Sequence, residues 1–505
     1  MLKLPKIVNS DYDTYVCWAH TEYKAFAKNT NDVIFKLLNT DFEVEINGVP
    51  CEVRECRVSA IPFNRPWPGK QRNYNQSESA GFISFSADEQ VEIKVKRKKA
   101  FDNAIIRPLS KKVDVSIVDD QAVFTLKEHG QYVLELGDSH NALHIFFNEI
   151  KDYPEAKDAT IYFGPGIHFP GTIYLRDNDR VYIDESAVVF GSLHSLGAKN
   201  VKIFGGGVLD NSCEERITEN CYENHTKGTF RIYNCENIDV SDIILVNSST
   251  WIMSIFNCKD IHIDNVKIVG HWRYNTDGID VVNTENVLIE NCFIRSFDDT
   301  ITVKAIYDYP RPIQNIVVDN CVMWCGWGKN CELGVETAGV EYKDIIFRNC
   351  DLIHNSMGAM CVSNGNQADM HDVLFENINI EFQSDTMLEV VQFDENQEYD
   401  GYGKMMPPSL IKNLVNPFAI RIKNKETIER KRSDRLGDIH DITYRNINIY
   451  TDSEDIKPII MMQTCDSERV IKNFTLENFY INGAKQENFD SFETIFQNAE
   501  NITIK

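Results

Sequence analysis

From about residue 158 to the closing NITIK, the chain repeats one short phrase: an Asn or Asp, an alternating apolar stretch, an Asn, then a second apolar stretch. A repeat of this kind constrains the fold strongly, because each unit must bury its apolar side against the next. Aligned on the first apolar residue, the phrases are NVKIFGG at Val201, NIDVSDIIL at Ile238, DIHIDNVKI at Ile261, NVLIENCFI at Val287, NIVVDNCVM at Ile316, DIIFRNCDL at Ile345, DVLFENINI at Val373, DITYRNINI at Ile442 and NFTLENFYI at Phe474. Period-two alternation inside each phrase is a strand signal. From Ile261 the steps are 26, 29, 29 and 28 residues, too short for a strand, a packed helix and their loops in every unit. The spacing predicts the coils of a parallel β-helix.

In such a solenoid, equivalent residues stack at about 4.8 Å and form ladders. Asn291-Cys292, Asn320-Cys321 and Asn349-Cys350 recur at 29-residue steps and predict one, with amides bonding along a turn and thiols packed beneath. The 69-residue gap between Val373 and Ile442 predicts a long loop through DENQEYDGYGKMMPP, placed to wall one end of a site. Residues 1–135 read instead as short alternating runs such as GFISFSA, VEIKVKR and QYVLEL, which suggest an antiparallel β-sandwich. The expected division is a front domain over 1–135, a junction over 136–157 and the solenoid over 158–505. The fold class is therefore all-β, a right-handed parallel β-helix preceded by a sandwich.

A formal net charge of -24 and a pI near 5.0 repel phosphate backbones and anionic membrane surfaces, so neither nucleic acid nor membrane is an expected partner. The fourteen cysteines lack CxxC pairs. One Cys per coil makes a line and not a tetrahedron, so free buried thiols are expected, with no metal site and no cofactor. The opening MLKLPKIVNSDYDTY lacks the apolar core and cleavage site of a secretory leader, and a cytoplasmic location is the expectation. A secreted protein whose leader was removed reads the same. The sequence is compatible with a homo-oligomer and does not require one.

Two phrases depart from the repeat: HWRYNTDGID at 271–280 and SFDDTITVKA at 296–305. Asp277 and Asp298 are 21 residues apart, slightly under one coil, so consecutive turns present them side by side, with Asp299 adjacent. Like charges at that separation do not all ionise freely, and one proton is retained at a raised pKa. A protonated carboxyl and an ionised one, roughly 6.5 to 9.5 Å apart, are what glycosidic cleavage with inversion requires. Turn capping and calcium binding are the bland uses of isolated Asp residues. An Asp pair one coil from NTDGID favours the catalytic use.

NTDGID followed by the DD of FDDTITVKA resembles the polygalacturonase family, glycoside hydrolase family 28. The resemblance implies that Asp298 is the general acid and that Asp277 and Asp299 hold and activate the attacking water. Two departures stand beside it. The family's GHG histidine would fall in CGWGKNCELGVETAG, which has no histidine, and its RIK triplet would fall near GAMCVSNG. A literal Arg421-Ile422-Lys423 lies well beyond that coil. Without this cationic clamp, a neutral glycan is also a candidate substrate. FNRPWPGKQRNYNQSE and NAIIRPLS in the front domain look similar to the dextranase and isopullulanase family, glycoside hydrolase family 49, which implies a neutral α-glucan as the alternative. Both resemblances imply an inverting hydrolase of a plant or microbial oligo- or polysaccharide.

Sugar sites use aromatic faces and polar side chains. The candidate substrate-binding residues are Trp272 and Trp327 as subsite walls, Arg273, Lys304 and Glu336 for sugar hydroxyls, and Asn275 to orient the Asp277 turn. Arg65, Trp67 and Arg72 are expected to fasten the front domain to the solenoid. A polysaccharide lyase would need a convergent basic cluster, which the motif coils lack, and a non-catalytic binding solenoid would not need clustered acids. A glycosyl transferase on the same fold would use the same acids.

Overall fold

The computed structural model describes residues 1–7, 14–16, 34–59, 77–214, 228–306, 311–383, 409–415, 437–464, 469 and 471–505. Among these there is no α-helix, only two 3-10 turns at Leu109–Lys111 and Pro154–Asp158. No helix is long and apolar enough to cross a membrane. The long loop expected at 394–408, the Arg421-Ile422-Lys423 triplet, and Arg65, Trp67 and Arg72 lie outside the described residues.

Strands from Ile161–Phe163 to Ala499–Ile504 form one 31-stranded sheet that winds as a right-handed parallel β-helix. Its pairings are parallel except at the end, where Tyr480 and Ile481 pair antiparallel with Lys485 and Ala484. Alternation fixes which side chains point inward. In Ile279–Val282, Ile279 and Val281 join the interior cluster with Ile255 and Val303, while Val282 packs on the other face with Tyr233, Trp251 and Phe256. The Asn ladder is present: Asn320 Nδ2 donates to Asn291 Oδ1 at 2.7 Å, Asn377 to Asn349 at 3.0 Å, and Asn446 to Asn377 at 2.9 Å. Asn349 itself donates to Asp319 Oδ1 at 2.7 Å. These turns need left-handed backbone, with φ of 56° at Asn291 and 52° at Asn320, a conformation that Asn tolerates better than most residues. Cys292, Cys321 and Cys350 are free and buried beneath them.

In front lie a five-stranded antiparallel sheet (Phe42–Ile46, Val49–Cys51, Val91–Arg97, Val115–Val118, Gln121–Leu126) and a six-stranded sheet. Their facing side chains, including Val44, Ile93, Phe85, Leu134 and Ile145, share one core, as in a sandwich. The six-stranded sheet holds one parallel pair, Leu143–Asn148 beside Gly81–Ser86. The stretch 136–157, expected as a junction, thus contributes the strand Asp138–Asn148 to that sheet and then the turn Pro154–Asp158. The reason is visible in its pattern, since Leu143, Ile145 and Phe147 face the front core while Ala142 and Phe146 face the solenoid.

That second face seals the front sheets to the β-helix. Cys56, Val58, Phe82 and Phe146 pack with Phe293, Val322, Trp324 and Ile353. Buried charges cross the same seam. Arg107 Nε donates to Glu135 Oε2 at 2.8 Å, and Arg107 also pairs with Glu381. His354 Nε2 lies 2.5 Å from Glu135 Oε1. Arg295 sits 3.5 Å over the Trp324 ring and donates to His144 Nε2 at 2.9 Å, while His144 Nδ1 bonds the Gly81 carbonyl.

Candidate active site

The motif residues occupy three turns stacked by backbone hydrogen bonds. Gly278 N donates to the Asp299 carbonyl at 2.8 Å, and Thr300 N to the Lys329 carbonyl at 2.9 Å. The turn carrying Asp277 therefore lies directly beneath the one carrying Asp298 and Asp299, which lies beneath Gly328-Lys329. Asn275 adopts φ 54°, and Thr276 donates its hydroxyl to the Arg273 carbonyl at 2.7 Å, which shapes the turn before Asp277. Gly328 has a steric reason. A Cβ there would come within 2.4 Å of Asp299 Oδ1 and 2.7 Å of Asp298 Oδ1, so only glycine lets the backbone approach both carboxylates.

Lys304 ties the lower turns together, donating to Asp277 Oδ2 at 2.8 Å and Asp280 Oδ1 at 2.7 Å, with its ammonium 3.9 Å from the Trp251 ring centre. Both carboxylates favour its charged form and raise its pKa against the burial that lowers it. Thr302 also donates to Asp280 Oδ1, at 2.8 Å. Asp277 Oδ1 is buried and has no hydrogen-bond partner among the described residues. Burial raises the Asp277 carboxyl, opposed by Lys304 and reinforced by Asp280, Asp298 and Asp299.

Asp298 is held up to about 7, by burial first and then by Asp299, with Lys304 and Lys329 pulling the other way. Its Oδ1 accepts the Asp299 N–H at 3.0 Å. Asp299 Oδ1 accepts the Lys329 N–H at 2.7 Å. The Lys329 ammonium bonds Glu332 Oε1 at 2.9 Å, placing a buried ion pair beside the two acids. An acid held partly protonated near neutrality, next to ionisable carboxylates, can donate a proton to a leaving oxygen while a neighbour activates water.

The structure brings Asp277, Asp298, Asp299 and Lys304 together. Trp327 is half-buried, stacked on Phe297 at 5.6 Å and tilted against Tyr274 at 5.7 Å. Glu336 is also half-buried, and its charge reaches Lys304. Two expectations are corrected. Trp272 is 1% exposed and Arg273 2%, so neither offers a face or a fork to a sugar. Their segment folds back over the preceding coil, where Arg273 Nη1 donates to the Asn247 carbonyl at 3.3 Å and His271 Nε2 bonds the Leu245 carbonyl at 3.1 Å.

Sequence reasoning missed Asp280, Lys329 and Glu332. A signal existed for two of them, because Asp280, Thr302 and Glu332 are in-register partners on successive coils and share the parity of Lys304. Among the described residues, no group of three or more His, Cys, Asp or Glu is arranged to hold a metal ion.

The molecule is thus a parallel β-helix with carboxylates clustered on consecutive turns, and it resembles glycoside hydrolase family 28: residues 163–384 match "Glycosyl hydrolases family 28". Rhamnogalacturonase A of Emericella nidulans is 30% identical over 162 residues, 31% of this chain and 30% of that protein. Rhamnogalacturonase A of Aspergillus aculeatus is 29% identical over 161 residues, 31% and 34% of the two chains. The matched segment spans about a third of the length of these curated relatives. Among solved structures, Dex49A from Penicillium minioluteum superposes with a TM-score of 0.58 at 14% identity, covering 92% of this chain and 88% of that one. An exopolygalacturonase from Thermotoga maritima gives a TM-score of 0.50 at 15% identity, over 68% and 83%. At these identities the two superpositions establish the fold alone.

Proposed function

We propose that this chain is an inverting glycoside hydrolase of a pectic glycan, polygalacturonase-like in mechanism. Asp298 protonates the leaving glycosidic oxygen, and Asp277 and Asp299 hold and activate the attacking water. The observation that carries the reading is the stacking of the Asp277, Asp298–Asp299 and Gly328-Lys329 turns, which places an acid with a carboxyl raised to about 7 among ionisable neighbours. Asp277 Oδ1, with no described partner, is the natural acceptor for a water, while Lys304 fixes the other oxygen.

A rhamnogalacturonan backbone is favoured as substrate because the curated relatives are rhamnogalacturonases. Trp327, stacked beside the Asp298 turn, and Glu336, whose charge reaches Lys304, are assigned the sugar contacts. The test is reducing-sugar release from rhamnogalacturonan, polygalacturonate and dextran by wild type and Asp298→Asn, with the product anomer followed by NMR. Inverted product that disappears in the variant supports the reading. Release of unsaturated product, or turnover unaffected by the substitution, overturns it.

A further inference from the structure

The strands Phe293–Ser296, Val322–Cys325 and Asp351–His354 begin at the Asn-ladder turns, and the first of them runs out into the turn of Asp298 and Asp299. The front sandwich packs over the middle of these strands. At the ladder edge it leaves a cavity of about 360 Å³, lined in part by Asn291 and Asn320. Asn291 and Asp298 are one strand length apart, roughly 20 Å, so this cavity and the acids lie at opposite edges. Its floor is buried and its walls are open. Val322, Asp351 and Gln131 on the floor are 5%, 7% and 6% exposed, whereas His129, Lys151 and Asn320 on the walls are exposed.

The strand Gly130–Leu136 sends alternate side chains toward the solenoid, and two of them are fully accommodated there. Val133 joins the apolar cluster of the seam, and Glu135 meets Arg107 and His354. Gln131 reaches past the apolar seam and is only half satisfied. Its Nε2 donates to Asn265 Oδ1 at 3.0 Å and to the Asn291 carbonyl at 3.4 Å, while its buried Oε1 has no hydrogen-bond partner among the described residues. Exchanging the amide oxygen and nitrogen would set an oxygen against both acceptors, so a flip brings no relief. A buried acceptor left without a donor costs about 1–3 kcal/mol, and the cavity beside it is about ten times the roughly 30 Å³ share of one water.

We infer that this cavity is a second, non-catalytic glycan site, which takes a neutral sugar ring with one hydroxyl donating to Gln131 Oε1. The lining chooses the occupant. Its cations Lys111 and Lys151 face the carboxylates of Glu149, Asp264 and Asp351, and Lys151 is already paired with Asp242 at 2.8 Å, so a polyanion meets no net positive charge. The carboxylates are engaged in turn. Asp264 Oδ1 accepts from Asn291 at 2.7 Å, and Asp351 Oδ1 accepts from Ser110 at 2.6 Å and Asn379 at 2.9 Å. No metal-holding group is formed by the described residues. What fits is an uncharged ligand that donates hydrogen bonds and lays a C–H face on Val322, in a volume within the range of about 300–1,000 Å³ usual for small-ligand sites. Past Lys151 and Asp264 the groove continues beside the half-buried Tyr153, whose ring packs against Phe204 at 6.0 Å and whose hydroxyl donates to Asp242 at 3.0 Å. A glycan of several rings therefore has a path out along the flank of the solenoid.

The experiment measures binding and not turnover, so it stands apart from the hydrolase reading. D-galactose, L-rhamnose, D-glucose and their disaccharides are titrated by calorimetry and saturation-transfer NMR into wild type, Gln131→Met, His129→Ala and Asp298→Asn, with D-galacturonate as the charged comparison. At least one neutral sugar is expected to bind wild type and Asp298→Asn alike, with galacturonate about fivefold weaker or worse. Gln131→Met, which replaces the orphan acceptor by a thioether of similar length, should weaken that sugar about fivefold. His129 lies on the exposed wall, fixed by its Nε2 bond to the Ala87 carbonyl at 2.7 Å, so His129→Ala tests the site even where Gln131→Met does not fold, and should cost about twofold to threefold. No binding of any neutral sugar, binding indifferent to both cavity substitutions, galacturonate bound as tightly, or binding lost in Asp298→Asn overturns the inference.

Discussion

Two regions of this molecule bury ionisable groups at similar depth and do opposite things with them. At the seam, Glu135 and Glu381 meet Arg107 and His354, and Arg295 lies against Trp324 and a His144 ring that burial and Arg295 keep neutral, with its pKa near 3. At the candidate site, Asp277, Asp280, Asp298, Asp299 and Glu332 share Lys304 and Lys329. Burial alone would raise the Glu135 carboxyl, yet His354 and Arg107 bring it down to about 2, whereas Asp298 stays near 7. The same low-dielectric surroundings thus produce a fastener where opposite charges balance and a carboxyl that keeps its proton to near neutrality where carboxylates are in excess.

The sharpest way to break this contrast is Asp298→Asn. Turnover on the substrate found is expected to fall about a thousandfold, while the melting temperature holds or rises because a crowded carboxyl has been removed. A drop in melting temperature would assign Asp298 to the fold. The converse change, Glu135→Leu, leaves His354 without its carboxylate and Arg107 with Glu381 alone, and should cost about 3 kcal/mol in denaturant unfolding, with kcat per folded molecule preserved.

Acid and base then separate the regions by sign. Glu135, held at about 2 against about 4.3 in an unfolded chain, contributes stability present above about pH 4 and lost as pH falls toward 2. Asp298, near 7 against about 3.9 unfolded, is favourable below about pH 4, and that contribution is lost as pH rises toward 7. Glu381, raised to about 7 by burial against the pull of Arg107, runs with Asp298 and offsets part of the seam's contribution. Unfolding followed across pH should show Glu135→Gln flattening the acid side and Asp298→Asn flattening the interval from about 4 to 7. The smallest effect expected is kinetic. Activity should decline as pH rises through about 7, and Lys329→Met, by removing a cation that lowers the Asp298 carboxyl, should move that decline upward by a fraction of a pH unit.

Much of this architecture was legible in the chain because a solenoid writes its period directly into the sequence. The 29-residue Asn-Cys steps became a hydrogen-bonded ladder, and the motif acids fell on stacked turns. What stayed hidden depends on burial and on pairing between distant segments. Nothing in HWRYNTDGID says that the corner folds inward, so Trp272 read as a sugar platform although it is core. Glu332 becomes a neighbour of the acids only when the coil carrying it is set in register above Thr302, and Lys329 comes with it. The seam was invisible for the same reason, since Glu135 and His354 are 219 residues apart.

Strand parity in the β-helix acts as a reading frame. Deleting one residue between Thr300 and Lys304 would turn Lys304 toward the packed interior and send Val303 out among the carboxylates, whereas the same deletion in a corner could be absorbed without touching the chemistry. A lineage carrying this scaffold is thereby free to vary corner lengths, and with them the walls around the carboxylates, while the strand lengths beside the acids stay fixed.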